Sequence, residues 1–436
     1  MAGEWSETTL GQVTDFLSGG TPSKDVPQYW GGSVPWVSAK DMKRFRLDDT
    51  EDHVTGEGVA NGTKLVPRGT VLLLTRGMTL LHDLPICVAN RPMTFNQDVK
   101  ALRPKAGIRD DFLPYLLLGN RDRLLNLVDL AGHGTGRLNG DELKALDVVL
   151  PPEPEQRAIA RILGTLDDKI ELNRRMNETL EAIARALFKS WFVDFYPVRA
   201  RADCRDTGLP KSLADFFPNS FENSELGEIP RGWQVQPFAD TVEIIGGGTP
   251  KTSVADYWNG DIPWFSVVDA PTESDVWVVD TEKKITGGGI VNSSTRVLPV
   301  GTTIISARGT VGRTALVGVP MAMNQSCYGL RGKVGTHGSF TYFAARELVA
   351  SLQQRAHGSV FDTITRDTLI GVPVVTPPPE LIEAFESRVA PAMGRTLAAL
   401  FNSRALTILR DALLPKLISG NLRIKNTKRM MRVTPA

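Results

Sequence analysis

The strongest constraint on this chain is that much of it is written twice. Gly19-Gly20-Thr21-Pro22, Tyr29-Trp30, Pro35-Trp36 and Ser38 return in the same order as Gly247-Gly248-Thr249-Pro250, Tyr257-Trp258, Pro263-Trp264 and Ser266. Thr21 and Thr249, like Trp36 and Trp264, are 228 positions apart. Further anchors repeat in order: Arg76-Gly77 as Arg308-Gly309, Asn96-Gln97 as Asn324-Gln325, and His133-Gly134-Thr135 as His357-Gly358-Ser359. Both copies close on a paired proline, after Val148-Val149 at Pro151-Pro152 and after Val374-Val375 at Pro377-Pro378. A repeat this long is a duplicated domain, not a solenoid unit.

Each copy consists of short β-rich runs, such as Thr70-Val71-Leu72-Leu73-Leu74 and Thr302-Thr303-Ile304-Ile305, broken by Gly, Pro and Asn turns, which predicts a mixed α/β domain. A different texture follows each copy. After Pro152 the residues Ile159, Leu163, Leu166, Ile170, Asn173, Asn177, Leu180, Ala184, Leu187 and Trp191 step by three and four between charged positions, the pattern of a long helix with a narrow seam. A counterpart runs from about Leu381 to Leu414 through Phe385, Val389, Leu397, Leu400, Leu406 and Leu413. Pro391 and Gly394 inside it predict a kink or a restart. Two such seams are best covered by each other, as an antiparallel pair holding the two copies apart. Asn173 and Asn177 lie in the first seam, either buried and fixing the register or at a wet end of it.

A chain of 436 residues exceeds what one core serves. With 42% hydrophobic and 23% charged residues it is globular in composition, and a net charge of +1 confines any polyanion footprint to local patches or shares it with a partner. Cys87, Cys204 and Cys327 are far apart and odd in number, which fits a reducing compartment rather than a disulfide framework. The opening Met1-Ala2-Gly3-Glu4-Trp5 lacks a signal-peptide pattern and the apolar runs are too short to span a bilayer, so a soluble cytoplasmic protein with no membrane association is expected.

The motifs of an enzyme are missing from the sequence. Adenine methylation calls for a polar-Pro-Pro-aromatic loop around the flipped base, and Leu150-Pro151-Pro152-Glu153 and Thr376-Pro377-Pro378-Pro379 lack both the amide and the ring. No phosphate-binding GxxxxGK[ST] loop occurs. Glu142-Leu143-Lys144 and Glu282-Lys283-Lys284 match a nuclease-like acid-x-Lys triplet of a kind common on protein surfaces. The five histidines never cluster at metal-ligand spacing, and His133 and His357 sit in equivalent Gly-flanked turns.

Several segments carry a family likeness: Trp5-Ser6-Glu7-Thr8-Thr9-Leu10-Gly11, Leu166-Asp167-Asp168-Lys169-Ile170-Glu171-Leu172-Asn173, Leu187-Phe188-Lys189-Ser190-Trp191-Phe192-Val193-Asp194-Phe195, Gly227-Glu228-Ile229-Pro230-Arg231-Gly232-Trp233 and Leu414-Pro415-Lys416-Leu417-Ile418-Ser419-Gly420. With their order, the chain resembles the specificity subunits of type I restriction-modification systems over essentially its whole length. The resemblance implies a mixed α+β fold with internal pseudo-symmetry: two tandem target-recognition domains at 1–152 and 226–378, spacer helices at 153–225 (with its linker) and 379–425, and a disordered basic tail at 426–436. It implies that each domain binds one half of an asymmetric, bipartite site on double-stranded DNA and that the helices set the gap. It also implies two modification (methyltransferase) subunits and ATP-dependent restriction subunits as partners. S-adenosylmethionine, ATP and Mg are then expected on those partners, with no cofactor, metal or catalytic residue on this chain. A protein-interaction scaffold without DNA reading is the alternative.

Phosphate contacts position a protein and base-edge contacts specify sequence. Features shared by both copies cannot distinguish two half-sites, so Arg76 and Arg308, and Arg137 and Arg313 in Gly-rich loops, suit phosphate anchoring, against a competing role in internal salt bridges. Asn96, Gln97, Asn324 and Gln325 have the amide geometry to read adenine, but being shared they fit a structural role better. Trp30, Trp36, Trp258 and Trp264 read first as core aromatics. Base readers are expected where the copies differ: Lys40, Lys43, Arg44 and Arg46 after Ser38, against Asp269, Glu273 and Asp275 after Ser266. A solvated surface is the rival reading for both clusters.

Overall fold

The computed structural model describes residues 4–131, 134–271, 275–333, 338–355 and 363–424. The chain forms two compact units, Met1–Lys169 with Ala405–Ala436 and Ile170–Arg404, and each contains one copy of the repeat with a stretch of both long helices.

The first unit is built on β1 (Thr14–Ser18), β2 (Arg46–Leu47), β3 (Val71–Leu74), β4 (Arg76–Gly77), β5 (Ile86–Ala89), β6 (Val99–Pro104), β7 (Val128–Ala131) and β8 (Thr135–Leu138), followed by helix α1 (Glu153–Phe192). Five strands make one sheet in the order β1-β6-β3-β5-β2, antiparallel except where β2 joins β5 in parallel. Central β3 is buried at all four residues, which is why its sequence is an unbroken apolar run rather than an alternation. Beside it, Trp30–Val37 pairs antiparallel with His53–Val54 and parallel with Thr94–Phe95.

The second unit repeats this with β9 (Val242–Gly246), β10 (Trp277–Val278), β11 (Thr303–Ser306), β12 (Thr314–Val317) and β13 (Cys327–Gly332), in the order β9-β13-β11-β12-β10 and with the same directions. Its last long element is helix α2 (Pro379–Ile418). The repeated motifs now have causes. Gly19 and Gly247 lie so close to the chain at Phe95-Asn96 and Asn324 that a Cβ would fall 2.2 Å and 1.9 Å from backbone oxygens. Trp30 and Trp36 meet edge to face at 5.1 Å, as do Trp258 and Trp264, and the Trp36 and Trp264 indoles each donate at 3.0 Å to the carbonyl of the second glycine of the motif, Gly20 and Gly248. The tryptophans are core and turn anchors, as their positions in the repeat suggest.

Both long helices contain 40 residues. Helix α1 starts with acidic Glu153 and Glu155 at its positive end, with Pro154 in the first turn, where its missing N–H costs nothing. In α2 the expected restart does not occur: a single helix runs through Pro391 and Gly394. Both residues are exposed, and so is Ser387, whose carbonyl loses its helical donor to the proline. Water can satisfy that oxygen, so the chain need not leave the helix.

The seam between the helices is antiparallel and partly polar. In the first unit, Asp167 of α1 accepts from Arg410 of α2 at 2.8 Å, and Glu155 accepts at 2.9 Å from Arg423, which follows the end of α2. In the second unit, Asn173 Nδ2 donates to Asn402 Oδ1 and Ser403 Oγ at 3.0 and 3.1 Å, and Asn177 donates to the Thr396 carbonyl at 3.1 Å. Both asparagines are buried, so neither lies at a wet end of the seam. The aromatic end of α1 is also consumed by packing: Phe188, Trp191 and Phe192 form one cluster with Phe195, Phe217, Trp233, Phe343 and Phe385 of the second unit.

Cys87 on β5 and Cys327 on β13 are both buried, and burial, aided by Asp41 and Asp269 respectively, pushes each thiol up to about 12. Cys204 is exposed. Maleimide labelling of the folded protein at about pH 7.5 is therefore expected to modify one thiol, and labelling after denaturation all three, because the thiolate is the reactive form. Fast modification of two or more thiols in the native state would contradict the burial. The basic tail read from the sequence at 426–436 lies outside the described residues.

Candidate nucleic-acid interface

Each domain carries an arm held at its neck by one aspartate. In the first, Asp41 Oδ2 accepts from the Ser38 amide and hydroxyl at 2.9 and 2.8 Å, and Oδ1 accepts from the Glu51 amide at 3.0 Å. In the second, Asp269 does the same for Ser266, at 2.8 and 3.0 Å, and for the Glu282 amide at 2.7 Å. The carboxylate of Asp269, expected from the sequence among the base readers, is thus committed to its own arm. Glu273 lies outside the described residues, as do His133 and His357.

The basic cluster of the first arm does not act as one patch. Lys40 bridges Glu51 and Asp52 at 3.1 and 2.9 Å, and those carboxylates raise its pKa. Arg46 turns toward α1 and places Nη2 2.5 Å from Asp168. Lys43 and Arg44 are exposed.

The shared amides serve their own turns. Buried Asn96 accepts from the Asp98 amide at 3.0 Å, and Asn324 from the Ser326 amide at 3.0 Å. Gln97 accepts from the Thr21 hydroxyl at 2.6 Å, and Gln325 from the Thr249 hydroxyl. This geometry favours the structural reading of all four.

Arg76 and Arg137 come together. Strand β8 pairs antiparallel with β4, and the two residues stand directly opposite each other in that ladder, both exposed. Asp129 of β7 is the next residue in the same row. Among the described residues neither guanidinium has a hydrogen-bond or ion-pair partner. Like charges directly opposite in a sheet destabilise it, and Asp129 opposite Arg137 offsets part of that repulsion. Exposed Met78 and Leu130 lie at the same sheet, an apolar fringe beside the charge. Sequence reasoning picked both arginines, but their adjacency depends on strand register across 61 positions and no local signal reveals it.

In the second domain Arg308 occupies the matching place, bridged to Thr363, and Arg313 follows in a tight loop closed by the Ser306 hydroxyl, which accepts from the Arg313 amide at 2.9 Å. Both side chains are exposed. The acid-x-Lys triplets make surface contacts only: Lys144 pairs with Asp141 at 3.5 Å and Lys284 with Asp280 at 3.3 Å. Among the described residues no group of three or more His, Cys, Asp and Glu side chains is arranged to hold a metal ion, and no helix is long and apolar enough to cross a membrane.

The family model for the type I restriction modification DNA specificity domain matches residues 2–182 and again 230–381. The chain is 28% identical to the HindI specificity subunit of Haemophilus influenzae, over 96% of this chain and 100% of that one. It is 25% identical to the MjaIX specificity subunit of Methanocaldococcus jannaschii, over 97% and 94%. Among solved structures, the type I S subunit from M. genitalium superposes with a TM-score of 0.57 at 15% identity, covering 95% of this chain and 96% of that one, a likeness of fold. With two copies of the family's domain accounting for most of its length, this chain belongs to the type I restriction modification DNA specificity family.

Proposed function

We propose that the chain is the DNA-reading subunit of a type I restriction-modification complex, in which each domain binds one half of a split site and the chemistry resides on partner subunits. The observation that carries this reading is the pairing of one scaffold with two surfaces. The two sheets share strand order and neck, yet the arms and the strands around them present different side chains, as expected of two readers of unlike half-sites. Arg76, Arg137, Arg308 and Arg313 are assigned to phosphates; Lys43 and Arg44 stand as the base-reading candidates of the first domain. S-adenosylmethionine would be bound by modification subunits, and ATP with Mg by restriction subunits. Two equivalent docking places for modification subunits are supported by Ile183 and Leu409. These are 226 positions apart, as Pro152 and Pro378 are, and both are exposed on the long helices, at 59% and 47%.

The purified chain is expected to transfer no methyl group to DNA alone and to direct adenine methylation when its modification subunit is added. Radiolabelled methyl transfer measures this. Turnover by the chain alone would overturn the assignment of chemistry to the partners, and normal site-specific methylation by the partner without this chain would overturn its role as reader.

A further inference from the structure

Both arms turn back onto a long helix instead of outward. In the first unit, Arg46 of β2 is about a quarter exposed, its Nε is buried without a partner among the described residues, and its Nη2 meets Asp168 of α1 at 2.5 Å. Next to it, Phe45 packs on Tyr115 at 5.6 Å between ring centroids, and the Tyr115 hydroxyl donates to Asp167 at 2.8 Å. Asp167 also takes the Arg410 bond from α2. Two adjacent carboxylates on α1 therefore gather the arm, the short helix Leu113–Gly119 and α2 at one point.

In the second unit the corresponding arm meets α2. Trp277 Nε1 donates to the Met393 carbonyl at 3.2 Å and to Thr396 Oγ1 at 2.8 Å, and Asp280 accepts from Arg404 at 2.5 Å. Asp168 corresponds to Gly394 at the 226-position offset of Pro152 and Pro378, and Gly394 lies between Met393 and Thr396, so Arg46 and Trp277 meet equivalent turns of the two helices, while the Asp280–Arg404 pair lies further along α2. The docking is repeated although the side chains that make it are not. A guanidinium that reads guanine needs two donors presented together in the groove, and Arg46 has one nitrogen buried and another committed to α1.

We infer that Arg46 is a positioning residue rather than a base contact: through Asp168 it holds the first domain at a set angle on α1 and so narrows the range of gaps the complex accepts between half-sites. This rests on the DNA-reading function proposed above.

The test uses the whole chain with its modification subunits, S-adenosylmethionine and unmethylated genomic DNA as the probe. Mapping the methylated adenines gives both half-site sequences and the distribution of gap lengths. Arg46→Met and Asp168→Asn are each expected to leave both half-site sequences unchanged while the share of sites with a gap one base pair off rises about two- to five-fold, the scale of one exposed-to-intermediate ion pair. The exchange Arg46→Asp with Asp168→Arg is expected to return the distribution toward that of the unaltered chain. The inference is overturned if Arg46→Met alters the bases of one half-site while Asp168→Asn does not, or if both variants keep the original gap distribution. Failure of the unaltered complex to methylate any split site would instead sink the functional reading, and the positioning role with it.

Discussion

Replacing Arg76 and Arg137 together with Gln is expected to weaken DNA binding about 50- to 100-fold at about 0.1 M salt while leaving the recognised sequence unchanged. Each phosphate contact releases close to one condensed counterion, worth nearly one decade of affinity at that salt concentration, and two contacts are removed. The slope of log affinity against log salt should fall by about 1.8. Phosphate contacts carry no base information, so both half-sites should stay the same. Stability should change little. The two arginines face each other across β4 and β8, so neutralising them removes a repulsion of about 0.2 to 1 kcal/mol, but Arg137 also stands opposite Asp129 of β7, and that opposite-charge pairing of similar size is lost with it. Titration of the complex with labelled duplex across a salt series, beside a thermal melt, checks both halves. Unchanged affinity, or a lost preference at one half-site, would contradict the phosphate assignment.

Trp191→Ala is expected to destabilise the second unit by about 3 to 5 kcal/mol, the usual cost of removing a large buried aromatic side chain. Trp191 is 1% exposed and meets Phe217, Phe192 and Phe385 at centroid distances of 5.3, 5.9 and 6.1 Å, with the Arg388 guanidinium 5.9 Å from its ring centre. No neighbouring side chain can collapse into so large a void without breaking those edge-to-face contacts. For a unit of this size the melting transition should fall by about 6 to 20 °C. The core of the first unit is a separate cluster without Trp191, so calorimetry should show one transition moved and the other nearly in place. A shift of under about 2 °C would mean that the aromatic cluster does not hold the end of α1.

Much of this was legible beforehand, for identifiable reasons. The Gly-Gly-Thr-Pro and Trp repeats mark places where backbone approaches backbone or an indole reaches a fixed carbonyl, and such places tolerate few residue types. The helical seams were legible because burial on one face imposes a three-and-four spacing. Pro391 misled where it suggested a restart, because proline's cost in a helix depends on whether the orphaned carbonyl faces water, which composition does not tell. The arm of the first domain misled in the same way. Lys40, Lys43, Arg44 and Arg46 form a basic run in sequence, but Lys40, though exposed, is paired with Glu51 and Asp52, and Arg46 turns back to Asp168, and only the fold says which carboxylates lie within reach of a loop. The opposition of Arg76 and Arg137 is a matter of strand register, set by pairing that is distant in sequence.

The central claim is that two structurally alike domains read two different half-sites independently. It is tested most directly by exchanging the first domain for that of a relative and mapping methylated adenines. The exchange should run from Ser6 to Leu150, because Ser6–Thr9 and Asp147–Leu150 pair strand to strand and must move together. The account predicts that one half-site takes on the donor's sequence while the other half-site stays as it was. A chimaera that is methylation-competent but changed at both half-sites, or at neither, would contradict it.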